Sequence, residues 1–148
     1  MSRDSKIAVS SRTFSNTSEL AAELLGQFSN VRFNTTEAFT GERLSDFIGD
    51  ARGLVVGLER IDEEVLDGCS HLEIIAKYGV GLDNIDLAAC ERRGIKIGWT
   101  GGVNRLAVAE MTLGFMLALS RNLFKGSNEL KRGVWNKNGG LQLSGRTV

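Results

Sequence analysis

The 148-residue sequence contains no proline, only two cysteines and a single histidine, and its 18 basic and 18 acidic residues cancel. Balanced charge disfavours a dedicated nucleic-acid binder, which would present a basic face. Cys69 and Cys90 do not belong to a paired metal-ligand motif, and each lies in or close to a predicted helix. We therefore expect no metal site, and we expect both thiols to be half-buried and structural in a reducing compartment.

Long apolar runs are also missing. The N-terminal segment MSRDSKIAVS lacks the apolar stretch of a signal peptide. The most apolar helical segment, residues 106–119, contains Glu110 and is shorter than the ~20 residues that a helix needs to cross a bilayer. We expect a cytoplasmic protein without a membrane partner.

What is present is an alternation of short apolar segments and amphipathic ones. Predicted strands cover 6–10, 31–33, 53–56, 72–76 and 95–97, and predicted helices cover 18–28, 42–48, 63–66 and 86–93. Such alternation implies parallel strands joined by right-handed crossovers. The predicted fold class is therefore α/β, a flavodoxin-like parallel sheet with helices on both faces. Ligands of such sheets bind beyond the carboxyl ends of the strands.

The pattern changes after Trp99. A glycine-bearing turn, TGGVN, ends in Asn104, a predicted N-cap for the helix at 105–120, and another helix follows at 122–132. The first of these helices is apolar nearly all round, so we expect a second domain or a second subunit to cover it. We divide the chain into domains at 1–99 and 100–148. The final Thr147-Val148 is typical of the first step of a strand, and we expect the chain to be truncated there.

The loop KYGVGLDNID, residues 77–86, lies between a predicted strand and a predicted helix. Gly79 and Gly81 remove side chains on both sides of Val80, so consecutive backbone N–H groups can face outward. A concave row of amide donors suits a carboxylate or a phosphate, and Asp86 could cap the helix that follows. The alternative is a tight turn in which glycine only relieves strain. Spacing alone does not separate the two interpretations.

Three motifs in order, IIAKYGVGLDNIDLAACERRGIKI, GGVNRLAVAEMTLGFMLALSR and GVW…LSGRTV, resemble the D-isomer-specific 2-hydroxyacid dehydrogenases, and among them the phosphoglycerate dehydrogenase-like members. The detailed match spans residues 72–148. The resemblance implies an NAD-dependent oxidoreductase that transfers a hydride between a 2-hydroxy acid (or 2-oxo acid) and the nicotinamide. It also implies that 100–148 holds long interdomain helices and the start of a Rossmann domain, and that a homodimer forms through 105–135.

The resemblance implies roles for three residues. Val80 and Gly81 match residues whose backbone amides hold the substrate carboxylate, and Val80 also matches the residue beside the nicotinamide. Asn104 matches a polar side chain that helps to fix the substrate; the alternative is a plain N-cap, and the two roles are compatible. The segment GLERID, residues 57–62, lacks the arginine–serine pair that binds the phosphate in phosphoglycerate dehydrogenases, which disfavours 3-phosphoglycerate as the substrate. Gly101 replaces a proline that is common in the family.

The family's catalytic arginine, its histidine–carboxylate pair and the G-x-G-x-x-G nucleotide loop would all lie beyond Val148. His71, the only histidine, lies between a predicted helix and a predicted strand, away from the glycine-containing loop. We therefore expect no catalytic residue in this chain and no dehydrogenase activity from the chain alone. Arg12, Thr13 and Phe14 follow the first predicted strand, so by topology they could line the same crevice. Lys77 could add positive charge near an anion or could equally point to solvent.

Two other interpretations remain. The chain could be a non-catalytic flavodoxin-like module that binds a small anion or another protein. A flavin-binding or phosphoryl-receiver protein of the same fold is disfavoured, because the first strand ends in Ser10, Ser11 and Arg12. That sequence offers neither a phosphate loop nor the acidic cluster of a receiver.

Overall fold

The computed structural model describes residues 1–137 and 139–147. The chain divides into two compact units, Met1–Gly101 and Gly102–Val148. The strand start predicted at 147–148 falls partly on Val148, outside the described residues, and Thr147 lies in no strand.

The first unit alternates strands and helices throughout. Its strands are β1 (Lys6–Val9), β2 (Asn30–Phe33), β3 (Gly53–Val56), β4 (Ile74–Lys77) and β5 (Lys96–Gly98). Its helices are α1 (Arg12–Ser15), α2 (Ser18–Gln27), α3 (Gly41–Ile48), α4 (Glu63–Asp67) and α5 (Leu87–Arg92). The strand at 31–33, the weakest by pattern, is present because β2 pairs along its whole length with β1.

All five described strands are parallel and follow the order β2-β1-β3-β4-β5. Val9 of β1 is in register with Val55 of β3, and Val55 with Ala76 of β4. The chain moves outward to β2 first and then to the other side through β3, so the direction of winding changes between β1 and β3. The predicted α/β parallel fold is confirmed. Its ligand crevice is expected at that change of direction.

Both faces of the sheet are covered, because alternate residues of a strand point to opposite sides. Leu54, Val56 and Ile75 belong to the larger core cluster, which also contains side chains of α3, α4 and α5. Val55 lies on the other side, in a smaller cluster with Ile7 and Val9 that packs against side chains of α1 and α2. The apolar runs in β1 and β3 are therefore explained by burial on both sides.

The two cysteines are more buried than the sequence indicated. Cys69 and Cys90 are free thiols with 2% and 1% of their surface exposed. Burial raises the pKa of Cys69 to about 11, and burial together with nearby Asp86 raises the pKa of Cys90. Both are neutral thiols that pack in the core.

Helix α1 is absent from the sequence-based prediction. It has only four residues, too few to show helical periodicity, and it begins where the Ser11 side chain accepts a hydrogen bond from the Phe14 N–H. Thr17 stands at the N-cap of α2, but its hydroxyl donates to the carbonyl of Thr13 at 2.8 Å and makes no cap bond.

The second unit contains α6 (Arg105–Ser120) and α7 (Leu123–Lys131), and the Leu141 N–H donates to the Ser120 carbonyl at 2.7 Å. Ala118 is the one buried hydrophobic residue in the described part of this unit. Large apolar side chains are exposed along both helices: Leu106, Val108, Met111, Leu113, Phe115, Leu117, Leu119, Leu123, Phe124 and Leu130. Across the described ranges no single helix is long and apolar enough to cross a membrane, and only the pair α6 and α7, bent by 61°, meets that criterion together.

Candidate carboxylate-binding site

The glycine-containing loop follows β4 at the carboxyl edge of the sheet and leads into α5. Asp86 caps α5 by accepting a hydrogen bond from the Ala89 N–H at 2.8 Å, as predicted. Gly79 has φ +142°, a backbone conformation that side chains disfavour. Within the described chain, the N–H groups of Gly79, Val80 and Gly81 donate to no protein acceptor. Gly79 and Gly81 are exposed, so these N–H groups lie in an open loop. The Asp83 carboxylate lies beside Gly81, where an added Cβ would come within 2.6 Å of its Oδ1.

A hydrogen-bond network anchors this loop to the segment that follows β3. The Lys77 ammonium donates to the carbonyl of Gly57 and to the side-chain oxygen of Asn84. The Asn84 amide nitrogen donates to the Glu59 carbonyl at 2.6 Å and to the Gly57 carbonyl at 3.3 Å. Burial lowers the pKa of Lys77, against the opposing effect of Asp83 and Glu59. Lys77 therefore ties two loops together, which the sequence alone did not establish.

A second set of polar contacts joins the ends of β1, β2 and β3. The Glu59 carboxylate accepts from the Gly57 N–H at 2.9 Å and from the Ser10 hydroxyl at 3.3 Å. The Asn34 side chain donates to the Ser10 carbonyl at 3.0 Å. Ser10 and Asn34 are 0% and 2% exposed. Sequence reasoning missed these residues. The available signal was polar residues directly after apolar strands, a position that favours the ligand edge.

A cavity of about 440 Å³ opens at this edge, where the winding of the sheet changes direction. It is lined by residues from four strand ends, including Arg12, Phe39, Leu58, Glu59 and Tyr78. Arg12 and Thr13 therefore line the crevice, as their position after β1 predicts, whereas Phe14 packs against the smaller core cluster. The cavity combines apolar walls with charged groups of both signs, as small-molecule sites do.

The carbonyl of Val80 also has a partner that the sequence did not indicate. The indole N–H of Trp99, just after β5, donates to it at 3.0 Å. Trp99 thus anchors the glycine-containing loop through a carbonyl oxygen of the loop itself. The half-buried Val80 side chain is the apolar group of this loop.

Asn104 lies in the second unit, at the N-cap position of α6, as predicted. Its φ of −103° and ψ of 11° are outside the extended region that favours capping, and its side chain makes no cap hydrogen bond. The side chain is exposed, so its amide group is free to meet a ligand. Asn104 therefore occupies the expected N-cap position, but the expectation that its side chain caps the helix is wrong.

His71 is exposed and lies before β4, at the amino edge of the sheet. The glycine-containing loop follows the same strand and lies at the opposite edge. In the described residues there is also no cluster of three or more side chains that could hold a metal ion. The candidate site consists of the backbone N–H groups of the glycine-containing loop and the cavity that Tyr78, next to this loop, helps to line.

Replacing Gly79 by alanine is expected to destabilise the chain by about 1–3 kcal/mol, because a Cβ at φ +142° is strained. Urea unfolding measures the change. Gly26→Ala is the matched control, because Gly26 lies in α2 with no heavy atom within 4 Å of a new Cβ. There we expect stabilisation of about 0.5–1 kcal/mol, since alanine favours a helix. Equal effects of the two replacements would contradict the strain argument.

Comparison with known proteins agrees with this architecture. The family model for the D-isomer specific 2-hydroxyacid dehydrogenase catalytic domain matches residues 7–143. D-3-phosphoglycerate dehydrogenase of Methanocaldococcus jannaschii is 35% identical over 133 residues, and glyoxylate reductase of Pyrococcus furiosus is 36% identical over 117. These alignments cover 88% and 72% of this chain. The chain belongs to the D-isomer specific 2-hydroxyacid dehydrogenase family.

A solved structure shows the same fold. The Polaromonas sp. JS6 66 protein assigned to the NAD-binding D-isomer specific 2-hydroxyacid dehydrogenases superimposes with a TM-score of 0.82 at 28% identity. The superposition covers 97% of this chain and 46% of that one. The chain likewise spans 25% of the M. jannaschii enzyme and 35% of the P. furiosus enzyme. Its 148 residues thus correspond to a minority of each relative.

Proposed function

We propose that this chain is the substrate-binding part of an NAD-dependent oxidoreductase that transfers a hydride between a 2-hydroxy acid, or its 2-oxo acid, and the nicotinamide. The observation that carries the proposal is the row of unpaired N–H groups from Gly79 to Gly81, at the carboxyl edge of the sheet and close to a 440 Å³ cavity. Family membership supplies the reaction class.

In this proposal the Val80 and Gly81 N–H groups bind the substrate carboxylate. Backbone donors suit this task because they are fixed in direction and form stronger hydrogen bonds to an anion than to a neutral acceptor. Asn104, whose side chain is not used in a cap, gives a further donor and acceptor for the substrate. The site would thus hold the acid group while the reacting carbon faces the cofactor.

The cavity beside the loop favours a substrate other than 3-phosphoglycerate. The segment GLERID, residues 57–62, lies where phosphoglycerate dehydrogenases tend to carry an arginine–serine pair for the phosphate, and that pair is missing. Glu59 lines the cavity together with Arg12 and Arg60, so these charges offset one another and only the missing pair disfavours a phosphate group. We therefore favour 2-oxo acids that lack a phosphate group.

NAD would supply the hydride chemistry when bound. Among the described residues, Val80 could contact its nicotinamide ring. Val80 stands half-buried between two glycines on an open loop, where its side chain can pack against a nicotinamide ring. The sequence contains no G-x-G-x-x-G loop to hold the pyrophosphate. We propose that those groups, and the catalytic arginine, histidine and carboxylate, are not supplied by this chain, and that the 148 residues alone are inactive.

A titration of the isotope-labelled chain with pyruvate, followed by NMR, tests carboxylate binding. We expect the largest amide shifts at Gly79, Val80 and Gly81, and weak or no shifts with methyl pyruvate, which has no carboxylate. If pyruvate shifts the amides of another region instead, or does not bind at all, the results would favour a non-catalytic module with a different ligand. Oxidation of NADH in the presence of pyruvate by the pure chain would contradict its proposed inactivity.

We further propose a homodimer through residues 105–135, without a nucleic-acid or membrane partner, in the cytoplasm. The dimer is supported by the exposed apolar side chains on α6 and α7, since contiguous apolar surface of this kind usually has a partner. Zero net charge supports the absence of a nucleic-acid partner.

A further inference from the structure

Trp99 stands behind the proposed carboxylate site. Its ring is 47% exposed, and its indole N–H donates to the Val80 carbonyl at 3.0 Å. The same ring lies against Gly101, where an added Cβ would come within 2.9 Å of the ring carbons. The backbone at Gly101 therefore leaves just enough room for the indole.

The acceptor of this hydrogen bond, the Val80 carbonyl, shares a peptide unit with an N–H group of the proposed site. The carbonyl of Val80 and the N–H of Gly81 belong to one peptide unit, which is planar and trans, so the two groups point in opposite directions. A donor that fixes the carbonyl oxygen also fixes the direction of that N–H. Hydrogen bonding at the carbonyl polarises the amide as well, which makes the N–H a stronger donor.

We infer that Trp99 is a positioning residue of the carboxylate site, because through the Val80 carbonyl it sets the direction and donor strength of the Gly81 N–H. This inference rests on the proposed function, in which the Gly81 N–H binds the substrate carboxylate. Trp99 itself has no need to touch the substrate. The rest of the loop is tied down on the other side by Lys77 and Asn84, so the indole acts on a peptide unit with little freedom to compensate.

The variant Trp99→Phe keeps an aromatic ring and removes the N–H. We expect it to weaken pyruvate binding by about two- to tenfold, the effect of losing one ordinary hydrogen bond. We also expect the Val80 carbonyl ¹³C signal of the ligand-free chain to move upfield, which reports the lost hydrogen bond. The shift that pyruvate causes at the Gly81 amide should decrease more than the shift at Gly79, which a merely structural role for the ring would not require. Ser29→Ala is the control, since it also removes a side-chain donor to a backbone carbonyl, that of Arg3 at 3.2 Å, but does so just before β2, at the amino edge of the sheet.

Gly101→Ala gives a second test that keeps the indole N–H in the protein. The new Cβ must displace the ring, so we expect the same upfield change at Val80 and the same direction of effect on pyruvate binding. If the wild type binds pyruvate and both variants bind it equally well, the role of Trp99 is refuted, whether or not the Val80 signal moves, and the proposed function stands. If the wild type shows no carboxylate binding at these amides, the proposed function and this inference fail together.

Discussion

The double variant Leu113→Lys/Leu117→Lys is expected to convert a self-associating chain into a monomer. The two leucines lie four residues apart on α6, hence on one face, and they are 54% and 47% exposed. A dimer that buries this face removes apolar surface from water, whereas a dimer of the variant would have to bury four ammonium groups. We expect association to weaken by more than about 100-fold, equal to about 3 kcal/mol. Sedimentation velocity over a wide concentration range measures it.

Leu25→Lys is the control for this experiment. Leu25 is 49% exposed and lies on α2 of the first unit, so the chemical change and the exposure are matched to those of Leu117. It is expected to leave the association unchanged. A wild-type chain that stays monomeric at every concentration would contradict the proposed interface through residues 105–135.

Leu54→Ala is expected to cost about 3–4 kcal/mol of the free energy of unfolding. Leu54 is 1% exposed in β3 and belongs to the larger core cluster, so the truncation removes apolar contacts and leaves a cavity. Small domains have about 5–15 kcal/mol of stability in total, so the variant would lose a large share of it. The carboxyl end of β3 leads into Gly57 and Glu59, so the loss should also loosen the network under the candidate site.

Leu58→Ala is the control, because it makes the same chemical change at an exposed position. It removes the same atoms four residues further along the chain, but Leu58 is 93% exposed, and we expect a change within about 0.5 kcal/mol. Urea unfolding of both variants, with the slope compared with the wild type, measures the difference. Similar costs for the two replacements would show that Leu54 is not part of a packed core.

The α/β fold was predictable because each strand coincides with a short apolar run in the sequence. The run at 53–56 is apolar at every position and is buried on both sides, and strands and helices alternate through residue 98. The observed element boundaries differ from the predicted ones by up to two residues. For example, β4 covers Ile74–Lys77, whereas the predicted strand covers 72–76. The shift follows from pairing with β3, whose register with β4 begins at Gly53 and Ile74.

Part of the candidate site was predictable for the same reason. The glycines around Val80 are adjacent in sequence, so the open row of N–H groups followed from local spacing. The hydrogen bonds that hold the loop join residues 20 or more positions apart in several cases, such as Lys77 with Gly57. No local pattern encodes such pairs, and neither Glu59 nor Trp99 was singled out by sequence. The cap bond expected from Asn104 failed because a suitable residue type does not ensure the required backbone angles.

The sequence by itself determined the order of elements, the parallel sheet and the position of a glycine loop at its carboxyl edge, because propensity, periodicity and glycine content act over a few residues. The tertiary structure decided that Lys77 and Asn84 anchor this loop, that Trp99 holds the Val80 carbonyl, and that a cavity opens beside it. These features depend on the register and winding of β1, β3, β4 and β5. Only packing of the whole sheet brings together groups that are far apart along the chain.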